Sequence, residues 1–239
     1  MNKEEFIKEL KKIGVILSDN KLEQLDIYAK ELIKYNEHTN LTAIKEEKEI
    51  YLKHFYDSLT LKITTDFSKI NTLLDIGTGA GFPGLVLKIV YPNLHVTLLD
   101  SNNKKTKFLE YMVDLLKLEN VEIINDRCEK FIENKREYYD IVTARAVKNL
   151  PVLSELCIPF VKIGGYFLAM KGSNTEEIEE SKEGIKILNA EIEKIYEINL
   201  PIEESVRKLL KIKKLNLTNK LYPRPYEKIL KKPLKKKIK

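Results

Sequence analysis

The stretch LLDIGTGAGFPG, residues 73–84, sets four glycines and a proline directly behind an apolar run that ends in an acid. Glycines in such a place permit positive φ and remove the side chains that keep a ligand off the backbone, so the chemistry on offer is the cradling of a cofactor. Two registers overlap. Gly79 to Gly84 fits the dinucleotide pattern G-x-G-x-x-G, whereas Asp75 to Gly81 fits the acidic G-x-G-x-G loop that holds S-adenosylmethionine. In the dinucleotide register Gly77 and Thr78 intervene between the strand and the first glycine. Starting that motif at Gly77 instead puts Phe82 where the third glycine is wanted. A carboxylate at Asp75 suits a pyrophosphate poorly and a ligand with sulfonium and ammonium groups well. The balance favours S-adenosylmethionine in the register that begins at Gly77, with Gly79 in the same loop and Gly84 assigned to helix packing.

Further candidates fall at the ends of later strand-like runs. Asp100 lies 23 residues beyond Gly77, where a carboxylate can take two ribose hydroxyls in either cofactor class. Backbone groups of Cys128 and Glu129, after the run VEIIND, can read an adenine edge, while the Cys128 thiol serves as a buried apolar filler. Arg145, in TARAV, can anchor cofactor or substrate, the alternative being a structural ion pair. Lys171, at the end of the run GGYFLAMKG, stands near the cofactor end of the sheet and can touch a phosphate-bearing substrate, and a solvated strand-end lysine explains it equally well. His54 and Asp57 can line the mouth of the site, although polar contacts capping the core explain them as well. No side chain is singled out as a catalytic base.

The elements that must position these residues follow from the periodicity. Residues up to about 65 read as helices: Phe6, Ile7, Leu10 and Ile13 recur at helical spacing up to Gly14, and Ser18 can cap a second helix. NEHTNLT (36–42) reads as a polar turn, and a third helix starts near Glu46. From Asn71 onward, short bulky runs (TLLDIG, HVTLLDS, VEIINDR, YDIVTARAV, GGYFLAMKG) alternate with amphipathic stretches, which implies parallel β-α-β units. The late runs EIEKIYEINLP and VRKLLKIKKL are too close for a parallel crossover and read as an antiparallel hairpin. The expected fold is α/β, doubly wound and Rossmann-like, with a small N-terminal helical layer. The expected organisation is a helical extension over 1–65, a cofactor-binding domain over 66–218 and a basic tail over 219–239.

Composition narrows the function classes. The chain has 239 residues, and 43 % of them are hydrophobic, enough for a sizeable core. The charged N-terminus MNKEEFIKELKK has no apolar leader, and no apolar run approaches a membrane span. Two cysteines and three histidines show no metal or redox spacing, so no metal and a reducing, cytoplasmic setting are expected. The net charge of +6 is unevenly spread: from Ser205 onward there are 14 Lys and Arg against one acid, Glu227. A mildly acidic body with a strongly basic end is the footprint of a polyanion partner, or of a solubilising tail.

Taken together, NEHTNLTAI, HFYDSL, LLDIGTGAGFPG, LLDSNNKKTKFLE, DIVTARAV, LSELCIPFVKIGGYFLAMKG, LPIEES and KLYPRPYEK resemble the RsmG (GidB) family of bacterial 16S ribosomal RNA guanine-N7 methyltransferases. The resemblance runs from about residue 36 to the C-terminus. It implies a class I methyltransferase sheet of seven strands, mostly parallel with one antiparallel strand, and S-adenosylmethionine as methyl donor. It also implies cofactor contacts at Gly77, Phe82, Cys128 with Glu129, and Arg145. N7 of guanine carries an in-plane lone pair and no proton, so direct in-line attack needs no general base. The implied partner is 16S rRNA or the small ribosomal subunit, bound by a monomer, with Lys171, Arg207 and Arg224 as phosphate or base contacts. The rival readings are a small-molecule methyltransferase and a non-catalytic ribosome-binding factor of the same fold.

Overall fold

A computed structural model describes residues 1–145 and 148–235. Ala146 and Val147 of the TARAV block, and residues 236–239 of the basic tail, lie outside the described residues. The chain opens with α1 (Lys3–Lys12), capped reciprocally by Asn2 and Glu5, and α2 (Asp19–Thr39), preceded by Ser18. The third helical run is composite: α3 (Glu47–Glu49), a π-helical stretch (Ile50–Tyr56) and α4 (Asp57–Leu59). The expected turn at 36–42 starts later than its polarity suggests. Helix α2 continues to Thr39 and ends at Asn40, which takes the left-handed conformation. Asn36 is buried there, giving its amide N–H to the Thr42 carbonyl (2.8 Å) and accepting the Thr42 N–H (3.0 Å). A polar side chain thus pins the turn from inside the helix.

Strands and helices then alternate: β1 (Thr72–Ile76), α5 (Gly84–Val90), β2 (His95–Asp100), α6 (Asn103–Leu115), β3 (Val121–Asn125), α7 (Cys128–Lys135) and β4 (Tyr139–Arg145). After them come α8 (Leu150–Cys157), β5 (Val161–Lys171), α9 (Glu176–Ile187), β6 (Ala190–Asn199), β7 (Val206–Lys214) and α10 (Tyr226–Lys231). The seven strands form one sheet in the order β3-β2-β1-β4-β5-β7-β6. Strands β1 to β5 are mutually parallel, and β7 runs antiparallel to both β5 and β6. The expected hairpin and single reversed strand are therefore present, with the reversed strand inside the sheet rather than at its edge.

The central strands β1, β2 and β4 are mostly apolar and buried because both of their faces are covered. Side chains alternate along each strand, so Leu73, Leu98, Ile141, Leu168 and Leu209 pack on the side of α1, α2, α5 and α6. Their neighbours Leu74, Leu99, Val142, Phe167 and Leu210 pack on the opposite side with α7, α8 and α9. The helical N-terminus completes the first of these layers: Phe6, Leu25, Tyr28, Leu32 and Phe55 are buried in the same cluster.

The chain beyond β7 folds back along the second layer. The Thr218 N–H donates to Glu137 (2.6 Å), and Arg136 donates to the Tyr222 carbonyl (2.6 Å). Arg224 grips the fully buried Glu155 through Nε (2.7 Å), Nη2 (2.6 Å) and its own backbone N–H (2.9 Å). The basic end is thus a docked strap up to Ile229, which is also fully buried. Removing the guanidinium with Arg224→Ala strands a carboxylate in the core. Urea denaturation is expected to show a loss of about 3 kcal/mol, the lower end for breaking a buried pair because Arg224 is partly exposed. A loss under about 1 kcal/mol would mean that the strap is not anchored through this pair.

Candidate cofactor site

Because β1 to β5 are parallel, their C-terminal ends share one rim, and the loops that leave them surround a cavity of about 500 Å³. The loop after β1 is locked from beneath by Asp75. Its carboxylate is fully buried and accepts from the Thr78 hydroxyl (2.7 Å) and the Gly84 N–H (2.8 Å). Burial raises its pKa to about 6, against the lowering effect of those two hydrogen bonds and of Arg145. Asp75 does not line the cavity. The expectation that it faces a cationic ligand is corrected: the carboxylate holds the loop's shape from underneath.

The glycines have separate reasons. Gly81 adopts φ +103°, and a Cβ there would lie 2.5 Å from the Tyr28 hydroxyl. A Cβ on Gly84 would lie 2.6 Å from Leu98 and 2.9 Å from the Asp75 carboxyl, so this glycine lets α5 close onto the sheet. The N-terminal helices grip the loop from above, with the Tyr28 hydroxyl donating to the Ala80 carbonyl.

All seven cofactor candidates line the same cavity: Gly77, Gly79, Phe82 and Asp100 at one part, Cys128, Glu129 and Arg145 at others. Asp100 accepts the Gly79 N–H (2.9 Å) on one oxygen and the Asn102 N–H (2.9 Å) on the other, leaving a lone pair on each for a hydroxyl. Cys128 and Glu129 open α7, where first-turn N–H groups have no partner within the helix. Burial pushes the Cys128 thiol well up, and its Sγ contacts the Leu156 carbonyl, so it is a packed thiol and not a nucleophile.

At the rim, Arg145 donates to the Lys53 carbonyl (2.6 Å), to Asp57 (3.0 Å) and to His54 Nδ1 (2.9 Å). Burial and the adjacent guanidinium drive the His54 pKa down to about 3, so its ring is neutral. Accepting at Nδ1 assigns its proton to Nε2, which faces the Thr42 hydroxyl at 2.9 Å. The imidazole stacks on Phe82 with centroids 4.1 Å apart and planes 10° from parallel. Asp57 stands behind the wall and pairs a second cation, Arg207, at 3.3 Å.

The three nucleic-acid candidates do not gather in the cavity. Arg207 sits beside the rim through Asp57. Lys171 is tied to Glu177 (3.0 Å) and to the Lys148 carbonyl (2.8 Å), and Arg224 is committed to Glu155. Both of these cations therefore carry structural pairings. Sequence reasoning missed Thr42, Lys105, Arg127 and Tyr226, which also line the cavity. Lys105 and Arg127 follow expected strand ends closely and were within reach of that logic; Tyr226 falls in the KLYPRPYEK block, but nothing local in it points to the cavity.

The family model GidB, described as rRNA small subunit methyltransferase G, matches residues 21–206. The chain belongs to this family. Relatives named ribosomal RNA small subunit methyltransferase G share 52 % identity in Bacillus licheniformis and 50 % in Bacillus subtilis, each over 227 residues. Both alignments cover 94 % of this chain and 95 % of the relative. Among solved structures, a SAM-dependent O-methyltransferase from Thermotoga maritima superposes with a TM-score of 0.52 at 19 % identity, covering 79 % of this chain and 73 % of that one. A variant of a 16S rRNA (adenine(1408)-N(1))-methyltransferase from Catenulisporales acidiphilia gives 0.52 at 12 % identity, covering 65 % of this chain and 87 % of that one. These two likenesses show the fold that this GidB-family chain shares with methyltransferases.

The buried latch makes a pH prediction. With its pKa raised to about 6, Asp75 holds a proton in the folded chain over a range where the unfolded carboxyl, near 3.9, has lost it. The stabilisation from that proton is fully present below about pH 4 and is lost as pH rises to about 6. The stability difference between the unaltered chain and Asp75→Asn should therefore shift toward the variant by about 2.5 kcal/mol between pH 4 and pH 7.5. Urea denaturation at the two pH values checks this, and a constant difference would overturn it.

Proposed function

We propose that this chain transfers the methyl group of S-adenosylmethionine to N7 of a guanine in the decoding region of 16S ribosomal RNA, acting as a cytoplasmic monomer. Family membership carries the reaction class, and one cavity lined by every cofactor candidate supports the donor. Bound S-adenosylmethionine supplies a methyl group on a positively charged sulfur, an electrophile that needs no metal and no covalent enzyme intermediate. In this reading the Asp100 carboxylate would take ribose hydroxyls and the first turn of α7 the adenine edge, with the loop from Gly77 to Phe82 between them and Arg145.

The site's protonation states suit an attack that releases no proton. Guanine N7 would attack with a lone pair and has no proton to lose, so the loop from Gly77 to Phe82, Asp100 and the first turn of α7, which would hold the methyl donor, would act by orienting it. The reading without a general base is supported by three groups: both His54 nitrogens are engaged, the Cys128 thiol stays protonated, and Asp100 is held by two backbone N–H groups. Catalysis is then positioning of nucleophile, methyl and sulfur in line.

For the RNA, Arg207 at the rim and the exposed lysines Lys220, Lys228, Lys231 and Lys232 on the strap supply phosphate contacts, whose affinity falls with salt. Among the described residues, no helix is long and apolar enough to cross a membrane, and no cluster of His, Cys, Asp or Glu is placed to hold a metal.

Two measurements test the reading. Gly77 has φ +67°, a conformation that aspartate tolerates better than most residues, so Gly77→Asp should fold yet lose S-adenosylmethionine binding by calorimetry. Unchanged affinity would sink the loop assignment. Mass-spectrometric mapping of 16S rRNA should find one 7-methylguanine that disappears when the gene is deleted and returns with the unaltered chain. If methylation is the same with and without the protein, a non-catalytic ribosome-binding role replaces the enzyme.

A further inference from the structure

The seven cofactor candidates come from the strand ends and the loops that leave them, Leu41, Thr42 and His54 come from the N-terminal layer, and one further lining residue comes from beyond the last strand. Strand β7 runs away from the rim and ends at Lys214, buried against the Ile158 carbonyl (3.3 Å) and Glu137 (3.4 Å) near the opposite edge of the sheet. The following residues climb back across the second layer by way of Glu137, Arg136 and Glu155, described above. The climb ends at α10, whose first residue, Tyr226, lines the cavity together with Arg127, Cys128, Glu129 and Leu156. The Arg127 guanidinium lies 5.7 Å from the centre of the Tyr226 ring and 3.6 Å from Glu129. This end of the cavity therefore combines unpartnered backbone N–H groups, an aliphatic side chain and an aromatic ring. That is the equipment for a flat heteroaromatic ring with polar edges.

We propose that Tyr226 is a cofactor-binding residue: its ring forms part of the wall against the adenine of S-adenosylmethionine, so that the docked C-terminal strap completes the nucleoside end of the site. The assignment rests on the cofactor reading given under Proposed function. It has a thermodynamic corollary. Strap docking and cofactor binding stabilise each other, and any polyanion held by the strap lysines in the docked state strengthens cofactor binding by the factor with which the cofactor strengthens its own.

The test is calorimetry on the full chain with S-adenosylmethionine and with 5′-methylthioadenosine, which keeps the nucleoside and lacks the amino acid. Tyr226 is half-buried, so Tyr226→Ala is expected to keep the melting temperature near that of the unaltered chain. It should weaken both ligands by a similar factor, about 5- to 100-fold for loss of one aromatic stacking partner, while Tyr226→Phe binds like the original. A second measurement is independent of affinity. The chain contains no tryptophan, so Tyr226→Trp places a single indole in the wall, and its emission should change on titration with a midpoint matching calorimetry. If Tyr226→Ala binds normally, or the indole emission ignores the ligand, while Gly77→Asp still abolishes binding, Tyr226 has no part in the site and the function stands. If the unaltered chain itself binds neither ligand, the cofactor reading fails and this assignment with it.

Discussion

A single carboxylate under the glycine loop is the constraint on which the rest of the site depends. Asp75 closes the last turn of β1, and its two hydrogen bonds fasten the loop at Thr78 and at the first residue of α5. Strand, loop and helix are thereby joined at one atom, Oδ2. The arrangement works only because position 84 has no side chain, since a methyl group there would meet the carboxyl and Leu98. With the loop fixed from below, the N-terminal helices can fix it from above through Tyr28, and Phe82 is held in a stack with Tyr28 and His54. The helical layer is thus a structural part of the cavity wall rather than an appendage.

Electrostatics at the rim follow a second buried acid. Asp57 faces two guanidiniums, Arg145 and Arg207, so the trio carries a net positive charge at the cavity's edge. His54 beside it stays neutral, because a third cation in that setting is disfavoured by burial and by Arg145. The pairing leaves Arg145 rigid, held by a carbonyl, a carboxylate and an imidazole. A cation fixed in this way presents a directed charge to a ligand without the entropy cost of ordering a free side chain.

Much of this was legible beforehand, for physical reasons. A sheet buried on both faces must be written as bulky apolar runs, so β1 to β5 were evident, and short connections forced the last two strands into a hairpin. The rim rule then located Asp100, Cys128, Glu129 and Arg145 without any knowledge of side-chain contacts. What escaped shares one property: it depends on partners distant in sequence. The polarity of Asn36 to Thr39 concealed a helix end whose asparagine is buried. The carboxylate of Asp75 has its meaning from Gly84 and Thr78, not from a ligand. The pairing of Arg224 with Glu155 joins residues far apart in the chain. Tyr226 reaches the cavity only by a fold-back that no local pattern announces.

The position of β7 has a consequence for how the protein is made. Among the described residues, strand β6 has no neighbour in the sheet except β7, yet it leaves the ribosome first. Until residues 206–214 follow, β6 has nothing to pair with and the inner edge of β5 stands open. The sheet is closed from within by its last-synthesised strand, and the strap can dock only afterwards. A nascent chain halted before that strand would hold a formed glycine loop beside two unprotected edges, the state of this fold most exposed to aggregation.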